Sequence, residues 1–101
     1  MIHHLVLWKF DDMYSSEEKI EIKKQLKERL LNLTKYIKEL KFIAVSFNSG
    51  KASAENFDIV LNTRFENFED LHKYQINPEH LKVAEYLKTL KLKRASVDYE
   101  D

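Results

Sequence analysis

The first strand of this chain is apolar on both of its faces, and this feature limits what the chain can fold into. Residues 2–10 are rich in β-branched and aromatic types and predict a strand. Leu5 and Leu7 lie at one parity of this strand, and the other parity carries Val6, Trp8 and Phe10. Because successive side chains point to opposite faces of a sheet, both faces of this strand need cover from water.

Helix and strand signals alternate along the rest of the chain. Ser15 and Glu18 fit a capping box at the start of a helix. The helix behind this box is marked by apolar residues at steps of three or four: Ile22, Leu26, Leu30, Leu33 and Ile37. Residues 42–48 and 57–65 predict two more strands, and residues 92–99 predict a fourth.

Two short helices are predicted between the third and fourth strands. Asn67 and Asn77 are their N-caps, and Pro78 occupies the first helical position of the second one. The element order is therefore β-α-β-β-α-β, with the second helix divided in two. This order predicts the ferredoxin-like arrangement, an α+β fold with helices on one face of a four-stranded antiparallel sheet.

Composition narrows the class of protein further. The chain has 101 residues and a mass of 12.1 kDa, which suits one domain over residues 1–101. It has no cysteine, so disulfides and thiolate metal sites are excluded. The 17 basic and 17 acidic residues cancel, and no apolar run can span a bilayer, so neither nucleic acid nor membrane is an expected partner. The N-terminus lacks a secretory signal pattern, which predicts a cytoplasmic location.

The second face of the sheet needs a cover that one layer of helices cannot supply. The economical cover is another copy of the chain, because two-fold dimers are the commonest soluble oligomers, and the alternatives are a partner protein or a large bound ligand. We therefore expect a homodimer that packs sheet against sheet around a cavity. His4 lies at the same strand parity as Val6, Trp8 and Phe10, so all four side chains are expected to face this cavity. The three apolar side chains are candidate contacts for a small apolar ligand.

Four segments of the sequence resemble the stress-responsive A/B barrel (Dabb) domains, in the order in which that family carries them. They are residues 4–10, 65–71, 74–80 and 97–100. The resemblance implies a dimeric α+β barrel whose two ferredoxin-like sheets enclose a cavity. Most members have no assigned reaction, and one plant member that this chain resembles is a polyketide cyclase. Members often carry Pro-Gly between the first helix and second strand, where this chain has Lys38 and Glu39.

The resemblance to the cyclase extends to three polar residues that are the candidate catalytic groups: His4, Tyr74 and His80. His80 falls at the third position of a helix, where the helix dipole disfavours the imidazolium and so favours a neutral base. Tyr74 follows Leu71 by three positions, so its ring can be buried while its hydroxyl reaches a polar partner. The alternative interpretation is a purely structural hydrogen-bond network.

Four functions fit these patterns. The leading interpretation is a dimeric protein of no assigned reaction whose cavity binds a small apolar molecule. The alternative is a cyclase or lyase that acts on a carbonyl substrate, with His80 as base, Tyr74 as its acid or orienting partner and His4 as a polarising group. A cofactor-free monooxygenase, for which Trp8 is the suggestive residue, and a structural stress-response protein complete the set. None of them needs a metal or an organic cofactor.

Two other clusters are interpreted as structural. His3 and His4 are adjacent on a strand and point to opposite faces, so a metal site shared with His80 is not expected. A basic stretch near the C-terminus is interpreted as helix-end cations and guards of an edge strand, not as a phosphate site: Lys88, Lys91, Lys93 and Arg94.

Overall fold

The computed structural model describes all 101 residues and has four strands and three α-helices. In chain order the elements are β1 (Ile2–Phe10), α1 (Ser16–Leu31), a 3-10 turn (Asn32–Lys35), β2 (Phe42–Phe47), β3 (Ile59–Phe65), α2 (Phe68–Ile76), α3 (Pro78–Lys88) and β4 (Leu92–Glu100). This order confirms the predicted ferredoxin-like arrangement with its divided second helix. No helix in the structure combines the length and the apolar character needed to cross a membrane.

The four strands form one antiparallel sheet in the order β2-β3-β1-β4. β1 lies inside the sheet, where His4 stands opposite Thr63 of β3 and opposite Asp98 of β4. Further along, Trp8 stands opposite Arg94. Residues that stand opposite each other share a face, so β4 contributes charged and polar side chains to the same face as His4 and Trp8.

The helices cover the face of the sheet that carries Val6, Trp8 and Phe10, and these residues are only 3–6% exposed within the single chain. The prediction that this face meets a partner subunit is therefore wrong. Both parities of β1 are apolar, so the pattern could not tell which parity the helices would cover. The apolar stripe of α1 packs on this face and contributes buried Ile22, Leu26 and Leu30 to the core.

The opposite side of the sheet, here called the open face, has no element of the chain packed over it. β1 contributes Leu5 and Leu7, which are half-buried, and β4 contributes Val97 and Tyr99, which are exposed. Val60 of β3 lies opposite Leu7 on the same side. The expectation that β1 presents apolar side chains on both faces is thus confirmed, with the roles of the two faces exchanged.

α1 begins as predicted and ends earlier than predicted. The Ser15 hydroxyl accepts a hydrogen bond from the backbone N–H of Glu18, and the Glu18 carboxylate accepts one from the backbone N–H of Ser15. The apolar spacing predicted a helix through Ile37, yet the α-helix stops at Leu31 and the chain tightens into the 3-10 turn. Leu33 and Ile37 stay buried because this turn delivers them to the same core.

Candidate functional site

A cavity of about 180 Å³ lies between the sheet and the helices of a single chain, and we call it the chamber. A cavity of roughly 150 Å³ is large enough to hold benzene, so the chamber fits a group of about one ring. The chamber is mostly apolar, with two imidazoles, one amide and one guanidinium in its wall. Its lining residues are His4, Val6, Trp8, Leu30, Leu61, Gln75, His80, Val83, Ala84, Leu87 and Arg94.

The imidazole of His80 is placed by the start of α3. Asn77 caps this helix by accepting a hydrogen bond from the backbone N–H of Glu79 at 2.9 Å, and Pro78 precedes it in the first turn. His80 Nδ1 lies 3.1 Å from the backbone carbonyl oxygen of Gln75. A carbonyl oxygen only accepts, so Nδ1 carries the proton in this hydrogen bond. In the neutral ring, Nε2 is then left with a free lone pair.

Burial sets the charge of the His80 imidazole. Desolvation lowers the pKa of His80 below its ordinary value, and the hydrogen bond to Gln75 opposes this shift without reversing it. Positive charge at His4 and Arg94 lowers the pKa further. The ring is therefore neutral near pH 7, with Nε2 in the form that accepts a proton.

The imidazole of His4, the second one in the chamber wall, is held by a carboxylate on the neighbouring strand. His4 Nδ1 is hydrogen-bonded to Asp98 Oδ1 on the neighbouring strand, and the His4 carbonyl oxygen accepts a hydrogen bond from the Thr63 hydroxyl at 2.9 Å. The His4 side chain is buried, whereas Asp98 is partly open to solvent. A carboxylate in this position fixes the tautomer and the orientation of the ring, and it stabilises the imidazolium when one forms.

Tyr74 lies behind the two imidazoles and does not line the chamber. Its ring centroid is 4.5 Å from that of His80 and 6.4 Å from that of His4. The prediction that its hydroxyl reaches a polar partner is wrong, because this oxygen is buried without a hydrogen bond in the chain. Burial raises the pKa of Tyr74 well above its usual range, so the hydroxyl keeps its proton.

The structure brings together four of the six predicted site residues at the chamber wall. They are His4, Val6, Trp8 and His80. Tyr74 packs against this group from behind, and Phe10 lies further along β1, where its ring meets that of Tyr14 at 6.0 Å. The expectation that Phe10 shares the ligand cavity is not met, because β1 carries it beyond the end of the chamber.

Sequence reasoning missed three polar groups, namely Gln75 and Arg94 in the chamber wall and Asp98 behind His4. It also missed five apolar wall residues: Leu30, Leu61, Val83, Ala84 and Leu87. The family resemblance included residue 98, but only the register between β1 and β4 pairs its carboxylate with His4. His3 points to the opposite face of the sheet, where its Nε2 bonds Asp101 at 2.7 Å and its ring stacks on Tyr99. No group of three or more His, Asp or Glu side chains is arranged to hold a metal ion.

Comparison with solved structures gives fold neighbours over nearly the whole chain. A dimeric protein of unknown function with a ferredoxin-like fold from Bacteroides fragilis is 33% identical, with a TM-score of 0.89 over 99% of this chain and 95% of that one. A dimeric ferredoxin-like protein of unknown function from Thermobifida fusca is 24% identical, with a TM-score of 0.81 over 99% and 90% of the two chains. A hydroxynitrile lyase from Passiflora edulis is 17% identical, with a TM-score of 0.73 over 99% and 94%.

The sequence itself matches one protein family over almost its full length. A search of curated proteins finds no match. The family profile of the stress responsive A/B barrel domain, in contrast, matches residues 2–101. This match agrees with the four segments that resemble the family and with the ferredoxin-like neighbours. The chain belongs to the stress responsive A/B barrel domain (Dabb) family.

Proposed function

We propose that this protein binds a small, mostly apolar molecule in the chamber. The observation that carries this proposal is a cavity with a mostly apolar wall that also presents the two imidazoles of His4 and His80. Pockets that bind small molecules combine such apolar walls with a few placed polar groups. Apolar contacts would hold the body of the molecule, and the imidazoles would orient its polar end.

Native mass spectrometry of the protein purified from cells tests the binding proposal. We expect a retained small molecule, released on denaturation and identifiable by its mass. Trp8 is the single tryptophan and lines the chamber, so its fluorescence reports occupancy directly. A protein that carries no such molecule, and whose Trp8 emission does not respond to a panel of small aromatic and aliphatic compounds, contradicts the proposal.

A second function, acid–base catalysis on a carbonyl compound, is favoured by the tautomer of His80. With Nδ1–H donated to Gln75, the lone pair of Nε2 is free to take a proton from carbon beside a carbonyl group. The electron pair of the broken C–H bond then moves to the carbonyl oxygen as an enolate. His4, whose Nδ1 is bonded to Asp98, would polarise that oxygen by donating Nε2–H, a proton that the ring carries there only as the imidazolium. One neighbour with this fold is a hydroxynitrile lyase, which supports an enzymatic role without transferring its substrate.

The role of Tyr74 in this second function is that of a proton donor behind the base. Its hydroxyl is protonated and unpaired, and its ring packs on that of His80. Tyr74 does not line the chamber, so its hydroxyl can pair with a substrate oxygen only after the side chain shifts into the chamber wall. We infer that it serves as the acid or orienting partner of the base.

Deuterium exchange tests the acid–base step without knowledge of the natural substrate. Phenylacetone in deuterated buffer loses its acidic C–H signals from the proton spectrum as a base removes them. We expect the protein to speed this loss by roughly 100-fold or more, as general bases do. The His80→Gln variant should lose the effect, while His72→Gln, at an exposed helix position outside the chamber, should keep it. Exchange that survives His80→Gln contradicts the role of this base.

We further infer that the open face is the surface of a homodimer. Neighbours with the same fold are described as dimeric, and the open face presents Leu5, Leu7 and Val97 without cover from the chain. An apolar patch of this kind on a sheet fits a second copy under two-fold symmetry. Equilibrium sedimentation tests the assembly. A cytoplasmic location remains our prediction from the sequence, and imaging a fluorescent fusion in the source cells tests it.

A further inference from the structure

A second cavity continues the chamber outward along the cleft between α3 and β4. This outer cavity has a volume of about 260 Å³. It shares four wall residues with the chamber, which makes the two cavities neighbours in one cleft: Trp8, Ala84, Leu87 and Arg94. The remaining wall of the outer cavity consists of Lys88, Leu90 and Leu92. The two cavities together place a mostly apolar wall beside the two imidazoles.

Arg94 stands where the two cavities meet. It lies on the helix-covered face of β4, directly opposite Trp8, and it is the only side chain of the chamber wall with a permanent charge. Arg94 forms no salt bridge, and its one side-chain hydrogen bond is long, at 3.4 Å to the Ser96 hydroxyl. Lys88 differs, because its Nζ lies 3.7 Å from Glu85 Oε1.

Arg94 is thus the one unpaired positive charge in the walls of the two cavities. No aspartate or glutamate lines either cavity. A guanidinium is a planar fork whose parallel N–H groups match the two oxygens of a carboxylate. Arg94 is exposed in the single chain, so water screens part of its charge. The interpretation of Arg94 as a guard of the edge strand accounts for its exposure and leaves its place in the chamber wall unexplained.

We propose that the molecule bound in the chamber is an amphipathic acid, whose carboxylate pairs with Arg94 and whose apolar body fills the chamber beside His4 and His80. This inference rests on the proposed binding function and adds the chemical class of the ligand. It makes Arg94 the residue that selects acids over neutral molecules of the same shape.

The proposal has a consequence at His80 that can be measured independently. Positive charge at Arg94 contributes to lowering the pKa of His80. A carboxylate bound to Arg94 offsets that charge, whereas a neutral ligand of the same shape excludes water equally and offsets nothing. The His80 pKa should therefore be higher with an acid bound than with the matched neutral ligand.

Matched pairs of probes test the proposal on the full chain. Phenylacetate is compared with phenylacetamide, and octanoate with octanamide, by Trp8 fluorescence and by the NMR titration of His80. We expect each acid to bind up to about fivefold more tightly than its amide. Arg94→Gln should bring the affinities of each acid and its amide together, and Arg94→Lys should restore part of the preference. Lys91→Gln, which removes an exposed charge outside both cavities, should keep the preference in full.

The outcomes separate the two proposals. Amides that bind as tightly as acids, or a preference for acids that survives Arg94→Gln, overturn the assignment of an acid ligand while the binding chamber stands. A chamber that takes neither probe of either pair overturns both proposals. A His80 pKa that is the same with phenylacetate and with phenylacetamide bound also contradicts the pairing with Arg94.

Discussion

The imidazole of His4 and the carboxylate of Asp98 are hydrogen-bonded across β1 and β4, although they are 94 positions apart in the chain. His4 is buried in the chamber wall, and Asp98 is partly exposed at the edge strand. The Asp98 carboxylate therefore lies outside the chamber and holds the His4 ring, which is part of the chamber wall. Partners of this kind fix which ring nitrogen faces a ligand, and their removal commonly costs much of the function while the fold persists.

Asp98→Asn tests this positioning role. The amide oxygen can still accept a hydrogen bond, but the negative charge that stabilises the imidazolium is lost. We expect catalysed deuterium exchange to fall by roughly 10-fold to 100-fold. The nitrogen chemical shifts of the His4 ring should change at the same time.

The matched control for Asp98→Asn is Asp101→Asn. Asp101 bonds His3 on the opposite face of the same sheet, so this change removes an equivalent carboxylate away from the chamber. It should leave the exchange rate and the His4 shifts as they are. Equal losses in both variants would indicate a general effect on the sheet.

Tyr74→Phe separates the structural role of the ring from the chemical role of the hydroxyl. The ring is fully buried, and its hydroxyl has no hydrogen-bond partner in the chain. Deleting an unpaired buried hydroxyl should leave the free energy of unfolding unchanged or raise it by up to about 1 kcal/mol. Deuterium exchange should fall if the hydroxyl donates during the reaction. A loss of stability of about 1 kcal/mol or more in urea would instead reveal a structural hydrogen bond.

The lowered pKa of His80 makes stability depend on pH. Its ordinary value is 6.5, and the folded value lies below it because burial disfavours the charged ring. Below the ordinary value the unfolded chain binds a proton that the folded chain refuses, so stability falls with falling pH until the folded pKa is passed. Urea unfolding at about pH 7.5 and about pH 5.5 should show this loss. In His80→Gln the loss should be smaller, and an unchanged difference between the two pH values contradicts the assignment.

Leu7→Glu tests the open face as the dimer surface. Leu7 points away from the helices, so a charge there should oppose assembly without entering the core of one protomer. Equilibrium sedimentation should show the variant as a monomer and the unchanged protein as a dimer. Ile20→Glu places the same charge at a position on α1 that is 65% exposed and should leave the dimer intact. If the Leu7→Glu variant still forms dimers, the interface lies on another surface of the protein.

Local signals in the sequence predicted most of the fold. The capping box at Ser15, the caps at Asn67 and Asn77 and the proline after Asn77 each mark a helix start that the structure confirms. These signals act within a few residues, so a single sequence displays them directly. Placing His80 at the third position of α3 follows from the same caps.

The predictions that were wrong concern features that depend on contacts between distant segments. The assignment of the two faces of β1 was wrong because both parities are apolar, and only the packing of α1 decides which face the helices cover. The end of α1 at Leu31 was missed because Leu33 and Ile37 keep helical spacing while the chain changes to a tighter turn. The pairings of Asp98 with His4 and of Arg94 with Trp8 require the register of β4, which no local pattern specifies.

β1 serves the chamber with one set of side chains and the open face with the other, and these sets alternate residue by residue. Inserting or deleting one residue within Ile2–Phe10 would exchange the two sets beyond the point of the change. Trp8 would then leave the interior. After an insertion before it Leu7 would take its place, and after a deletion before it Lys9 would. Substitutions that keep polarity can be tolerated singly along this strand, but a change of length there would disable ligand recognition and subunit pairing in a single event.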